Sequence, residues 1–440
     1  MPMSTLEQLR RGELAGSARL TLSADLDAFP EEIFALADSL EILDLSGNRL
    51  TSLPADLPRL GKLRILFCSD NPFSVLPEVL GDCPRLEMIG FKANRIHHLP
   101  AAALPPALRW LILTDNRLEH LPTELGERPR LQKLMLAGNR LRTLPASLAG
   151  LERLELLRIA ANRLAALPGW LAELPRLSWL AFAGNPFSDA SEAEVLRRHP
   201  LPPIPRSDIA LGEILGQGAS GIIQRADWRS PGQPARPMAA KLFKGSVTSD
   251  GLPRSEMAAC LAAGEHANLI RVAGPLAERP GAPPGLLLEL IDPTFRVLAG
   301  PPSLASCSRD CYAPERRFVF DEALRIARGV AAAVNHLHGR GILHGDLYAH
   351  NLLVDEQGDC LLGDFGAASF FEPGSAAGRA LQRIEARAFG CLLEELLERC
   401  PADERNLRQR RLGQLREACM STQAEQRPDF ASLSADLAAL

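Results

Sequence analysis

Lysine is nearly missing from this chain. Only Lys62, Lys92, Lys133, Lys241 and Lys244 carry it, and arginine supplies the remaining positive charge. Lys and Arg total 49 against 53 Asp and Glu, a net charge of −4, so no basic excess points to a nucleic-acid partner. Long apolar runs are also absent: no eighteen consecutive apolar residues occur, so no membrane-spanning helix is expected. The opening MPMSTLEQLRRGELAGSARL has no apolar stretch of signal-peptide length. The nine cysteines include no C-x-x-C pair, the nearest being Cys307 and Cys311. Such a set is expected to be reduced thiols in a cytosol, with neither a disulfide framework nor a zinc site. The arginine bias, with abundant Ala, Leu and Pro, suggests a GC-rich genome and hence a bacterial cytoplasm, with export to a host cell left open. A length of 440 residues predicts two to four domains, each able to bury a core.

What is present begins with a period. Asn48, Asn71, Asn94, Asn116, Asn139, Asn162 and Asn185 recur every 22 or 23 residues. Each closes a run such as LEILDLSGN or LQKLMLAGN, and most are followed by an apolar position and then LP. The pattern L-x-x-L-x-L-x-x-N-x-L-x-x-L-P is identified as a leucine-rich repeat. Physically it is a stack. Each L-x-L strand pairs with its neighbours, its leucines enter a shared core, and the Asn amide serves backbone groups that the bend leaves unpaired. Proline then ends the apolar run, lacking an N–H and fixing its own φ. The expected fold is an α/β solenoid over 39–199, behind an N-terminal cap at 1–38, with DASEAEVLRRH as a closing helix. Strand residues that do not point inward include Trp110, Met135, Arg158 and Trp179. This face is apolar for a solvated surface, so it is expected to bind a protein partner or substrate. The alternative is that it packs on the chain's own second half.

Residues 200–207, within HPLPPIPRSD, read as a semi-stiff linker. Beyond it, DIALGEILGQGASGIIQRADW places Gly216, Gly218 and Gly221 between two strand-like runs. A dinucleotide fold would need those glycines to open a helix. The β-branched IIQRADW that follows makes them a strand-to-strand turn, whose N–H groups can lie over phosphates. MAAKLF then carries Lys241, and RSEMAACLAAGEHANLI has helical period with Glu256 in its body and Glu265 at its exit. DEALRIARGVAAAVNHLHGRGILHGDL is a long amphipathic helix running into HGDLYAHNLLVDEQGDCLLGDFG. In that stretch LLV and CLLG predict a hairpin with its turn at DEQG, bringing Asp346, Asn351 and Asp364 to one mouth. Phosphoryl transfer needs a carboxylate to orient a hydroxyl and oxygen ligands for magnesium, and these three side chains meet that need.

The motifs together resemble protein kinases, H-R-D-L-x-x-x-N followed by D-F-G. The resemblance covers 208–440 and implies a two-lobed α+β domain using ATP and Mg2+ to phosphorylate serine or threonine hydroxyls. It implies Asp346 as catalytic base, and Asn351 and Asp364 as metal ligands. Lys241, paired with Glu256, would contact phosphate. Gly216, Gly218, Gly221, Ala239 and Glu289 would hold the nucleotide, with Leu288 near the gatekeeper. Glu385 takes the place of the aspartate in D-V-W-S-F-G, and Arg427 falls at the usual arginine.

Several departures stand out. Gly345 replaces the usual arginine, so the domain is expected to be of the non-RD kind and independent of activation-loop phosphate. Tyr348 replaces a lysine, which predicts slow turnover. Asp364 and Glu385 are only 21 residues apart, with no A-P-E, and only Ser369 and Ser375 as hydroxyl residues near the loop. Two other readings therefore stand beside a protein kinase. One is a scaffold that binds nucleotide without efficient transfer. The other is a small-molecule phosphotransferase, because H-G-D-L-x-x-x-N also resembles aminoglycoside and choline kinases.

Overall fold

The computed structural model describes residues 5–198, 201–218, 220–229, 232–245, 247–248, 250–403 and 405–440. The first four residues of the expected cap, together with His199 and Pro200 at the repeat–linker junction, lie outside them. The chain divides into two compact units, Met1–Leu174 and Pro175–Leu440. The division falls inside the last asparagine-marked copy of the repeat.

In the first unit, helix α1 (Leu6–Arg10) is opened by a capping box between Thr5 and Gln8. Seven three-residue strands follow: β1 (Arg19–Thr21), β2 (Ile42–Asp44), β3 (Ile65–Phe67), β4 (Met88–Gly90), β5 (Trp110–Ile112), β6 (Lys133–Met135) and β7 (Leu156–Arg158). They pair in parallel, each in register with the equivalent residue of the next copy. Their central residues, six leucines and Ile89, are fully buried, and each is worth roughly 2 kcal/mol of apolar burial. The expected asparagine ladder is present. Asn139 donates through Nδ2 to Leu113 O (2.8 Å) and Leu136 O (3.0 Å), and its Oδ1 accepts from Leu118 N (3.0 Å). Asn48, Asn71, Asn94, Asn116 and Asn162 likewise reach back to the preceding copy. Five of the L-P steps lead into 3-10 turns whose caps are Pro77, Pro100, Pro122, Pro145 and Pro168.

The second unit opens with the terminal repeat, strand β8 (Trp179–Ala181) and helix α2 (Pro186–Arg198). A five-stranded antiparallel sheet follows, from β9 (Ile209–Gln217), β10 (Gly221–Trp228), β11 (Arg236–Phe243), β12 (Val272–Pro275) and β13 (Gly285–Glu289), in the order β12-β13-β11-β10-β9. Helix α3 (Pro253–Ala263) lies between β11 and β12 in sequence. The proline-rich stretch before β9 does not run free. Ile204 is buried with Ala226, Met238, Ala240, Leu276 and Leu287. Its N–H donates to Pro275 O and its carbonyl accepts from Ala277 N, both at 2.8 Å. Pro203 and Pro205 on either side have no N–H to donate, so neither could make both of these bonds.

The remainder is mainly helical. Strand β14 (Arg296–Val297) precedes α4 (Phe320–Gly339), whose buried face runs through Leu324, Ile326, Ala327, Val330, Val334 and Leu337 at helical spacing. Strands β15 (Ile342–Leu343), β16 (Leu352–Val354), β17 (Cys360–Leu362) and β18 (Ser369–Phe370) follow, then α5 (Ala376–Glu398), α6 (Leu407–Cys419) and α7 (Phe430–Ala438). Helix α4 packs on α7, and α5 on α6.

Candidate active site

The predicted hairpin forms as β16 and β17, with Leu352 opposite Leu362 and Val354 opposite Cys360. Its turn is closed by Asp355, whose Oδ1 accepts from Gln357 N and Asp359 N. Before the hairpin, Asn351 Nδ2 donates to Asp346 Oδ2 (2.8 Å) and to Asp346 O (2.9 Å). After it, Asp364 sits at φ 52, in the left-handed region that non-glycine residues rarely enter, and its Oδ1 accepts from Gly366 N. His344 joins the two flanks. Its Nδ1 accepts from Asp346 N (3.3 Å), which leaves the proton on Nε2, and Nε2 donates to Gly363 O (2.9 Å).

Glu385, at 1% exposure, holds the loop from α5. It accepts from Gly345 N (2.7 Å), His344 N (3.2 Å) and His338 Nε2 (2.7 Å). Burial alone would raise its pKa, but these donors and the nearby histidines hold it below the usual value.

Across from the hairpin, Lys241 on β11 is ion-paired with Glu256 on α3. Glu256 is 1% exposed. Burial opposes the charge on Lys241, yet Glu256 and Asp364 together raise its pKa, so it stays an ammonium. Of the two glutamates weighed for this pairing, Glu256 is the one that meets Lys241, and Glu265 instead pairs with Arg271. Gly216 and Gly218 lie at the turn between β9 and β10, where an added Cβ would meet nothing within 4 Å, and Gly218 N donates to Gly221 O. Ala239 lies opposite Leu288 in the sheet. Glu289 is turned toward Arg236 and Arg271, and its N–H is donated to Arg271 O, so that N–H does not serve a base edge.

No group of three or more His, Cys, Asp or Glu that could hold a metal occurs among the described residues. The side chains that flank the hairpin offer the hard oxygens of Asp364 and Asn351. That set fits magnesium, which keeps several waters and takes most of its other ligands from phosphate.

The sequence reading missed two features. Asp310 receives both the N–H of His350 (3.0 Å) and its Nδ1 (2.7 Å). Nothing local in SRDCYAP signals this, because the partner lies forty residues on. The second is the position of Trp179. Its face was expected to bind a partner, with packing on the chain's own second half as the alternative; Trp179 follows the alternative, being 1% exposed, with its Nε1 donating to Leu347 O (3.0 Å) and its ring stacked on Tyr348 at 4.1 Å. Arg158 is equally buried, which leaves Trp110 and Met135, both half-buried, on the open face.

Comparison with known proteins agrees with this geometry. The protein kinase domain family matches residues 209–389, and leucine rich repeat families match 39–60, 106–164 and 129–187. A leucine-rich repeat and calponin homology domain-containing protein of Mus musculus is 34% identical over 126 residues, 28% of this chain and 18% of that one. A probable serine/threonine-protein kinase of Arabidopsis thaliana is 28% identical over 109 residues, 25% of this chain and 17% of that protein. Fibroblast growth factor receptor 1 of Xenopus laevis is 27% identical over 192 residues, 39% of this chain and 23% of the receptor. The chain therefore spans less than a quarter of the length of each of these relatives. A solved leucine-rich-repeat protein of Leptospira interrogans is 26% identical at a TM-score of 0.35, over 42% of this chain and 53% of that one. No described helix is long and apolar enough to cross a membrane. Taken in chain order, the protein consists of leucine-rich repeats followed by a protein kinase domain.

Proposed function

We propose that residues 208–440 transfer the γ-phosphoryl group of ATP, with magnesium, to serine or threonine hydroxyls of a protein. The repeats would hold a partner or the substrate through the face that carries Trp110 and Met135. The observation that carries this reading is the pairing of two devices. Lys241 is held charged by Glu256 on one side, and Asp346 is fixed by Asn351 beside Asp364 on the other. Asp346 is the base that receives the acceptor proton, its carboxylate oriented by the Asn351 amide. Lys241 meets the phosphates as a point charge. Gly216, Gly218 and Gly221 let backbone N–H groups approach the nucleotide closely. Asn351 and Asp364 would hold the metal, which supplies charge neutralisation at the phosphates. The compartment proposed is a bacterial cytoplasm.

One observation favours a second reading. Helix α5 starts at Ala376, capped by Ser375, so very little chain separates Asp364 from it. That leaves a short platform for a peptide and keeps a small-molecule acceptor in play. The resemblance to a receptor as well as to a serine/threonine kinase makes the acceptor class a separate question. Transfer of labelled γ-phosphate should be measured for the wild type beside Asp346→Asn, followed by phosphoamino-acid analysis. We expect phosphoserine or phosphothreonine, lost by at least about a hundredfold in the variant. Equal incorporation by both proteins would sink the assignment of Asp346.

A further inference from the structure

Two residues depart from the kinase pattern in the catalytic loop, and both touch the terminal repeat. Gly345 has φ 74, and a Cβ there would lie 2.6 Å from Ala367 O and 2.7 Å from Leu180 O. No side chain fits, so the backbone of β8 occupies the space that an arginine stem would need. Tyr348 lies face to face with Trp179, at 4.1 Å and 8° between planes, while Trp179 Nε1 donates to the carbonyl of the intervening Leu347. Two residues beyond Ala367, Ser369 of β18 is wholly buried, and its Oγ accepts the N–H groups of Phe182 (3.0 Å) and Ala183 (3.1 Å). Arg427 Nη2 donates to Pro175 O (2.8 Å) at the repeat's start.

The repeat also reaches the opposite side of the site. Glu192 of α2 is buried and accepts from Ser255 Oγ at 2.9 Å. Ser255 immediately precedes Glu256, the partner of Lys241. Asp189 and Arg254 pair alongside at 3.4 Å. One 24-residue stretch, 175–198, therefore grips the catalytic loop, the segment after Asp364 and the helix that carries Glu256.

We propose that the terminal repeat is a positioning element of the phosphotransfer site. Trp179 fixes the loop 344–351, and Glu192 fixes the start of α3 so that Glu256 stays on Lys241. The proposal rests on the kinase reading above. It explains why Gly345 and Tyr348 stand where they do: one makes room for β8 and the other gives it a stacking face. It also makes phosphate on the segment before α5 unnecessary. Ser369 is buried with its oxygen committed to two N–H donors, and Ser375 caps α5 through Gly378 N at 2.9 Å.

The test uses the full chain as wild type, Trp179→Ala, Trp179→Phe and Glu192→Gln. Amide hydrogen exchange is followed over 344–351, 253–263 and, as an internal reference, α6, beside kcat and KM for ATP. We expect the Trp179 variants to exchange faster over 344–351 and Glu192→Gln to exchange faster over 253–263, with α6 unchanged. For Trp179→Ala, kcat should fall by at least about tenfold while KM for ATP stays within about threefold. Trp179→Phe keeps an aromatic face without the N–H and should fall between the two. Should Trp179→Ala not fold, Trp179→Phe and Glu192→Gln carry the test. Folded variants with unchanged exchange at both places would overturn the proposal. A wild type that transfers no phosphate would instead overturn the kinase reading, and the exchange data would still decide the positioning role.

Discussion

Trp110 and Trp179 occupy the same position of the same repeat, yet their surroundings differ. In the first unit Trp110 is half-buried, with Lys133 Nζ 4.4 Å above its ring and its Nε1 donating to Met135 Sδ at 3.3 Å. Both neighbours lie on the same face, Lys133 itself being buried. In the second unit Trp179, the first residue of β8, is sealed against the loop 344–351. The repeat pattern thus fixes backbone, register and the inward leucines. It leaves the outward side chain to whatever lies against it. Identical spelling at that position carries no information on whether a tryptophan is a binding surface or a core residue.

The largest expected effect breaks the comparison at this pair. Trp179→Ala should cost about 3–5 kcal/mol, the range for a fully buried large side chain, and Trp110→Ala less than about 2 kcal/mol. Urea unfolding of the two variants measures the gap, and equal midpoints would erase the distinction. Gly345→Ala comes next. It combines a positive φ with contacts to two backbone oxygens that cannot swing away, and should cost about 3 kcal/mol. Gly216→Ala, where a Cβ meets nothing, serves as the sterically neutral control in the same melts. The comparison is sharpened rather than broken by the asparagines. Asn139 and Asn185 each bond backbone carbonyls from inside their own copies (3.0 Å to Leu136 O, 2.8 Å to Phe182 O), so changing either to alanine should cost a similar amount, about 2 kcal/mol. A large difference would mean that the terminal copy is not built like the others.

Local signals were legible in the sequence, and distant ones were not. The asparagine period, the glycine turn, the Lys241 strand and the Asp346–Asn351–Asp364 hairpin all lie within short windows whose spacing mirrors their geometry. Helical period separates Glu256, in the first turn of α3 where it pairs with Lys241, from Glu265 beyond its end, which pairs with Arg271. The Trp179–Leu347 bond joins residues 168 apart, and Ala183–Ser369 joins residues 186 apart. No periodicity encodes such a pair. The one trace was negative: Gly345 and Tyr348 broke the kinase spelling. Read as losses of charge, Gly345 pointed to independence from activation-loop phosphate and Tyr348 to slow turnover; in the fold both also touch the terminal repeat. The proline-rich stretch misled in a milder way, because composition described its stiffness but not the burial of Ile204.

The smallest effect lies one ring further along the same stack. Tyr348 is followed by His350, with ring centroids 5.0 Å apart, and His350 is held by Asp310. Burial pushes the His350 pKa down, but the hydrogen bond and charge of Asp310, with the charges of Asp346 and Asp364, raise it above the ordinary 6.5. A histidine whose folded pKa exceeds its unfolded value contributes most where both states are protonated. Its contribution is therefore complete below about pH 6.5 and is lost as pH rises through the raised folded value. Compared with His350→Gln, the wild type should gain most stability in mildly acidic buffer, and the gap should close in alkaline buffer. Thermal melts of both proteins from pH 5.5 to 9 would show this, while a gap that widens with pH would mean that Asp310 holds a neutral ring. Because the stack links His350 through Tyr348 to Trp179, the same melts repeated on Trp179→Phe ask whether the terminal repeat sets this titration. An unchanged pH dependence there would confine the influence of Trp179 to the loop it touches directly.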